Sequence, residues 1–405
     1  MKEVFRYSKF AETSTLTSIV KLTELAKEVK DLIAFTVGEP APEIIPTEKI
    51  KEITDDILSK YGTKALQYGA TCGDIIPTIV DFLKKYDTIE VEEDEVIILT
   101  GALQGGFLTC QTLLNPGDYI LAETPFYSLH LQNFRMFQAN IVSVKMDENG
   151  LIPEDLEKRL FELKKKGIKP KFLYTIPDFQ NPTGRTLPLQ RRKEIIEIAK
   201  KYELPIFEDT PYRYMRYKGK SIPSLFELAK DIVIHCNSFS KVLSTGLRVG
   251  YVLAQKDFIK KMKPIKQLCD YNTPRLNQYI IKEFIERGLW DEQIKRIKNV
   301  HYPRLLAMLE VLKKELPKHP EITYNEPEGG TYIWLTLPQD IDLDKFLEFA
   351  IKKGVAFIPS YDFYPPDCNI EIQKALRINF PYYPEERTKE GARRICSAIK
   401  EFLNL

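Results

Sequence analysis

Histidine is scarce in this chain. His130, His235, His301 and His319 are the only four, and no two stand at HExxH or any other metal-ligand spacing. No metal site is therefore expected. The six cysteines (Cys72, Cys110, Cys236, Cys269, Cys368, Cys396) are far apart and form no CxxC pair, which argues against a zinc ribbon or a redox dithiol. Most lie in apolar surroundings, where a thiol packs as a small core residue. No run of about 18 apolar residues is present, so no membrane span is expected. The opening Met1–Phe10 is charged and polar, unlike a signal peptide. A reducing cytoplasm is the simplest location. Charge of one sign is not in excess either: 59 Lys+Arg face 57 Asp+Glu, a formal charge of +2. That balance lacks the basic bias of nucleic-acid and membrane-surface proteins. Charged runs such as Glu162 to Lys166 and Arg191 to Lys201 read as solvated helix faces. Familiar signatures fail as well. Gly219-Lys220-Ser221 lacks the glycine a P-loop needs at Tyr214, Gly101–Gly106 does not fit GxGxxG, and no GxSxG elbow occurs. Ser238-Phe239-Ser240-Lys241 matches the SxxK of serine β-lactamases, but the S-D-N and K-T-G that must accompany it are missing.

What is present is a large apolar fraction, 43% of 405 residues, in a chain long enough for two or three domains. The middle alternates short apolar runs with helical periodicity. Strands are expected at Glu95–Thr100, Asp118–Ala122, Ile141–Val144, Phe172–Ile176, Pro205–Glu208, Ile232–Cys236 and Gly250–Ala254, and helices at Ala102–Leu114 and Leu189–Tyr202. Strands apolar on both faces and separated by helices imply an α/β domain with a mostly parallel sheet covered on both sides. After about Leu289 the pattern changes. A long helix over Asp291–Leu316, with Pro303 as a possible kink, precedes strands at Thr331–Thr336 and Ala375–Asn379 and a helix at Glu386–Phe402. The expected division is residues 1–46 as an N-terminal segment packing on the small domain and active site, 47–290 as the large domain, and 291–405 as a small α+β domain.

Polar residues stand at the ends of the expected strands, where open α/β sheets place their ligands. Phe172–Ile176 runs into Gln180-Asn181-Pro182-Thr183-Gly184. Pro205–Glu208 ends at Asp209, followed by Tyr212. Ile232–Cys236 ends at Ser238, Ser240 and Lys241, and Arg248 follows within Gly246–Gly250. The ordered series NPTG, ED-x-x-Y, S-x-S-K and G-x-R-x-G resembles the class I/II aminotransferases of the pyridoxal-5′-phosphate (PLP) fold type I. The resemblance runs from Val37-Gly38-Glu39-Pro40 to Leu376-Arg377-Ile378-Asn379-Phe380. The strings FLYTIPDFQNPTG, FSKVLSTGLRVGYV, TPRLNQ and VGEPAPE are similar to the 2-aminoadipate, kynurenine and aromatic aminotransferase group.

The resemblance implies a role for each residue. Lys241 would carry PLP as a Schiff base and act as general base, which calls for a lowered pKa; otherwise it is a surface lysine. Asp209 would hold the pyridine nitrogen protonated; alternatively it caps a helix. Asn181 and Tyr212 would hydrogen-bond the cofactor's ring oxygen, unless they are a turn residue and a packing aromatic. Ser238, Ser240 and Arg248 would bind the phosphate, with the backbone N–H groups of Gly101-Ala102-Leu103. Many family members have Ser-Gln where Ala102-Leu103 stand, so side-chain donors are lost there. Tyr127 matches the aromatic that stacks on the pyridine ring, or else packs in the core. Tyr68 resembles the tyrosine that reaches the phosphate from the neighbouring subunit, which implies a homodimer; the Cys72-Gly73-Asp74 beyond it departs from the usual Glu-Gly-Tyr. Arg377 matches the clamp on the substrate α-carboxylate, and Gly38 a glycine lining the same pocket. Ser18 and Lys21 fall near residues that some members use to read a distal carboxylate, or else lie on a solvated helix face.

The implied reaction moves an amino group between an L-amino acid and a 2-oxo acid, with 2-oxoglutarate/glutamate as one pair. The other amino acid is left broad: 2-aminoadipate, aromatic, leucine-like, or alanine with glyoxylate. A PLP lyase of C–S lyase type shares the same cofactor site. A transcription regulator with an aminotransferase-like domain would need a helix-turn-helix domain ahead of the large domain, where only about 45 residues stand. A catalytically dead scaffold sits poorly with both Lys241 and Asp209 present.

Overall fold

The computed structural model describes residues 5–13, 29–36 and 38–405. Seven strands form the central sheet: β1 (Val96–Leu99), β2 (Tyr119–Glu123), β3 (Asn140–Val144), β4 (Leu173–Thr175), β5 (Ile206–Asp209), β6 (Val233–Ser238) and β7 (Gly250–Leu253). Their order across the sheet is β1-β7-β6-β5-β4-β2-β3. Almost every residue in them is buried, as expected for strands covered by helices on both faces. Each expected strand is found, with ends moved by one or two residues.

One strand runs against the rest. β7 is antiparallel to both β1 and β6. The cause lies in the connection: β6 ends at Ser238 and β7 starts at Gly250, and the link holds no α-helix. Parallel crossovers need a dozen or more residues, so this short link returns the chain antiparallel. As a result the residues just before β7 lie at the same edge as the carboxyl ends of the other strands.

The C-terminal part builds a second, three-stranded sheet from β8 (Tyr332–Thr336), β9 (Ile358–Pro359) and β10 (Ala375–Asn379), ordered β8-β10-β9. Residue pairing across it sets Tyr332 opposite Asn379 and Trp334 opposite Arg377. The two-residue β9 is too short to show a period in sequence. The helix Trp290–Glu315 holds Pro303 in its interior and packs along the closing helix Glu385–Phe402. Residues Ile33–Ala34 pair in parallel with Val355–Ala356, and Asp31 forms ion pairs with Arg387 and Arg394. This part of the N-terminal segment is thus fastened to the C-terminal elements.

The charged run Arg191–Lys201 needs a correction. Arg192 is completely buried rather than solvated. It donates to Asp178 at 2.7 Å and to the carbonyls of Leu187, Pro177 and Pro223. A buried guanidinium survives only when its donors are satisfied, and here five hydrogen bonds do so. Cys110, Cys236 and Cys396 are buried, and burial raises their thiols; Cys269 is exposed. Among the described residues no helix is long and apolar enough to cross a membrane, and no cluster of three potential metal ligands exists.

Candidate active site

A cavity of about 290 Å³ lies at the carboxyl edge of the central sheet, closed from above by β8 and β10. Lys241, Asp209, Tyr212, Asn181, Ser238, Ser240, Arg248, Tyr127, Ala102, Leu103, Gly38 and Arg377 all line it. The strands explain the convergence. Asp209 ends β5, Ser238 ends β6, and Asn181 follows β4. Arg248 precedes β7, and the antiparallel course of that strand brings it beside them.

Asp209 forms the floor. Its Oδ2 accepts from the Tyr174 hydroxyl at 3.2 Å and stands 3.3 Å from His130 Nε2. Its other oxygen, Oδ1, is buried without a hydrogen-bond partner among the described residues. A buried carboxylate oxygen left unpaired costs roughly 1–3 kcal/mol or more, so it calls for a donor from a bound group. Behind the floor, Glu208 accepts from the backbone N–H groups of Leu225 and Phe226 and lies 2.8 Å from His235 Nδ1. Burial pushes Glu208 up, but His235 and these donors hold its carboxyl below the usual range.

Lys241 is half-buried, and its Nζ donates to the Gly38 carbonyl at 2.7 Å. Burial lowers its pKa, since the ammonium loses water, and the charges of Arg377 and Arg248 act in the same direction against Tyr332 and Glu39. The surface-lysine alternative does not describe this side chain.

An anion cradle lies beside it. Ser238 Oγ donates to Ser240 Oγ at 2.9 Å, and Arg248 Nη1 donates to Ser240 Oγ at 3.0 Å. Facing them is the start of the helix Ala102–Leu113, capped by Gly101 at φ 82°. A Cβ on Gly101 would run into the Arg248 guanidinium, so both the conformation and the space demand glycine. Free backbone N–H groups at a helix start, two hydroxyls and a guanidinium make a phosphate site.

The opposite wall is formed by Arg377. Its guanidinium is held between the rings of Tyr332 at 4.5 Å and Phe363 at 5.1 Å. It donates to Asn181 Oδ1 at 3.2 Å and to the Thr36 carbonyl at 2.7 Å, while its buried Nε has no partner among the described residues. Asn181 Nδ2 in turn donates to the Tyr212 hydroxyl at 3.4 Å. Gly184 closes the NPTG turn at φ 67°, and a Cβ there would collide with the Tyr332 carbonyl, so the turn and β8 fix one another.

The donor set fits PLP: an acid with one free oxygen for the ring nitrogen, a cradle for the phosphate, an amine with weakened charge, and an arginine for a carboxylate. Two expectations meet the structure differently. Tyr68 is 79% exposed, packs on Tyr271, and is not part of this chain's own cavity. Ser18 and Lys21 lie outside the described residues. Sequence reasoning missed Tyr332, His130 and Tyr174. His130 has no ligand spacing and reads as a core histidine, and the two tyrosines sit inside apolar strand runs; no local signal points to any of them.

Comparison with known proteins agrees with this geometry. A profile of the aminotransferase class I and II family matches residues 30–395. The aromatic-amino-acid aminotransferase 1 of Thermococcus litoralis is 36% identical over 397 residues, covering 97% of this chain and 94% of that protein. The 2-aminoadipate transaminase of Thermus thermophilus is 35% identical over 398 residues, covering 97% and 96%. In three dimensions the kynurenine aminotransferase of Pyrococcus horikoshii is similar at a TM-score of 0.92 and 36% identity, covering 98% of this chain and 97% of that one. These relatives support transamination and lend nothing to the lyase alternative. The chain therefore belongs to the class I and II aminotransferases, PLP-dependent enzymes of fold type I, and is itself an aminotransferase that works on an amino acid and a 2-oxo acid.

Proposed function

We propose that the chain transfers an amino group between glutamate/2-oxoglutarate and a second L-amino acid of aromatic, 2-aminoadipate, branched-chain or alanine type, by a ping-pong mechanism in a cytoplasmic homodimer. The observation that carries the reading is the unpaired buried oxygen of Asp209 in one cavity with Lys241 and the Arg248 cradle. The similarity to aromatic-amino-acid, 2-aminoadipate and kynurenine aminotransferases supports the substrate range. When bound, PLP supplies an electron sink for the charge left at the substrate Cα.

The residues do the rest. Arg248, Ser238, Ser240 and the N–H groups of Ala102 and Leu103 would hold the phosphate. Asp209 would keep the ring nitrogen positive, Tyr127 would pack against the ring, and Asn181 and Tyr212 would hold its phenolic oxygen. Lys241 would hold the cofactor covalently, and its Nζ would take the proton from the substrate Cα, a task for which its lowered pKa suits it. Arg377 binds the α-carboxylate beside Gly38. Tyr68 completes the partner's phosphate site, which its exposure permits. Ser18 and Lys21 read the distal end of the substrate. Residues 47–290 form the cofactor domain and 291–405 the small domain, to which Asp31 and Ile33–Ala34 of the N-terminal segment are fastened. Six free thiols agree with a reducing compartment.

A panel of amino acids with 2-oxoglutarate, followed by glutamate formation, tests the reaction. Release of ammonia or an alkene without glutamate sinks it. Borohydride treatment and peptide mapping should place the label on Lys241.

A further inference from the structure

Tyr332 opens β8 directly after Gly329-Gly330-Thr331 and is buried, with 1% exposure. Its hydroxyl lies 3.3 Å from that of Tyr212 and 2.6 Å from the place a Cβ on Gly38 would occupy. Its ring carries the Arg377 guanidinium. Its backbone is locked by pairing to Asn379 and by the close approach of Gly184. One tyrosine thus touches the phenol of Tyr212, the arginine, and the glycine whose carbonyl holds Lys241. A ring that served packing alone would need no hydroxyl here, because burying an unpaired one costs roughly 1–3 kcal/mol.

We propose that Tyr332 is a positioning residue of the transamination site: its hydroxyl orients the Tyr212 proton and its ring seats the Arg377 guanidinium. This rests on the roles given to Tyr212 and Arg377 above. The physical account is short. A phenol that accepts one hydrogen bond donates a stronger one. With its proton directed to the ring oxygen of the cofactor, Tyr212 accepts from Tyr332. The charged and titratable groups facing the pair are Tyr127, Lys241 and Arg377, with Glu39 and Asp209 in the same cavity. Burial raises both phenols. At Tyr332 the positive charges of Arg377 and Lys241 and the hydrogen bond to Tyr212 outweigh it, and the phenol falls below its usual value, while Tyr212 stays well above. Tyr212 also accepts from Asn181 Nδ2 at 3.4 Å, and a second donor at Tyr332 leaves its own proton to point outward.

Two variants of the PLP-loaded enzyme separate the two parts. Tyr332→Phe keeps the ring and removes the hydroxyl. Its kcat should fall about tenfold with KM nearly unchanged. The pH midpoint of the bound cofactor's visible absorbance should rise by about half a unit or more, because a weaker donor stabilises the ring oxyanion less. Tyr332→Leu removes the ring as well, and the KM for the amino acid should rise about tenfold as the arginine loses its face. A Phe variant with wild-type kcat and midpoint overturns the hydroxyl role; a Leu variant with wild-type KM overturns the seat. A wild-type enzyme whose bound chromophore ignores every amino acid offered would overturn the proposed function itself, and this inference with it.

Discussion

The two edges of the central sheet make an instructive pair. The amino edge carries the larger hollow, about 490 Å³ beside Pro205, Ile232 and Phe258, against about 290 Å³ at the carboxyl edge. Its charges are solvent-exposed ion pairs, Lys200–Asp231 at 3.1 Å and Lys169–Glu203 at 2.6 Å. Among the described residues, no side chain lining it has a buried polar atom without a partner. At the carboxyl edge Asp209, His130 and Arg377 each have one. Volume therefore does not mark the site. Buried, unpaired polar atoms that converge on one cavity do, because a bound group can complete them together there.

Substitutions along the two edges should follow that difference. Lys241→Ala should lower transamination by roughly four orders of magnitude or more, through loss of both the covalent link and the base. Near-normal turnover would end the mechanism. Asp209→Ala should cost about a thousandfold in kcat and much less in cofactor affinity, because its carboxylate acts on charge that develops during the reaction. Equal losses in both quantities would mean that Asp209 serves binding only. Arg248→Ala should weaken cofactor binding about 10–100-fold, with activity recovered at high PLP concentration; activity that stays lost at saturation would assign Arg248 another role.

Glu123 sharpens the comparison through pH. It ends β2 at the carboxyl edge, completely buried, and accepts from Thr175 Oγ1 and the Ile176 N–H, both at 2.6 Å. Burial raises its carboxyl from 4.5 to about 7 despite these donors. Between those values the folded chain holds a proton that the unfolded chain has released, so stability falls as pH rises through the window. The loss is on the order of a few kcal/mol. Glu123→Gln should flatten urea-denaturation midpoints between pH 4.5 and about 7. An unchanged slope would place the titration elsewhere. The smallest effect belongs to the amino edge: Lys200→Ala and Asp231→Ala should each change stability by about 0.5 kcal/mol or less and leave kcat/KM alone. A large activity loss there would break the comparison.

Much of this was legible in sequence because it is local. Apolar runs fixed the strands, and the residues closing them, Asp209, Ser238, Lys241 and Asn181, had to share one edge once the strands were parallel. What was not legible depends on partners far away in the chain. Arg192 reads as a solvated charge until Asp178 and three carbonyls are folded around it. Tyr332 looks like any strand aromatic until β8 is laid over Tyr212.

The sequence by itself determined the elements, the chemical types at the sheet edge, and the amine, acid and arginine that transamination needs. Only the tertiary structure decided that β7 turns back antiparallel and brings Arg248 beside Ser240, that Arg377 is gripped between Tyr332 and Phe363, and that Asp209 keeps one oxygen free. The reason is physical. Periodicity and strand ends follow from neighbours in the chain, whereas desolvation and hydrogen-bond satisfaction depend on what folding brings from elsewhere.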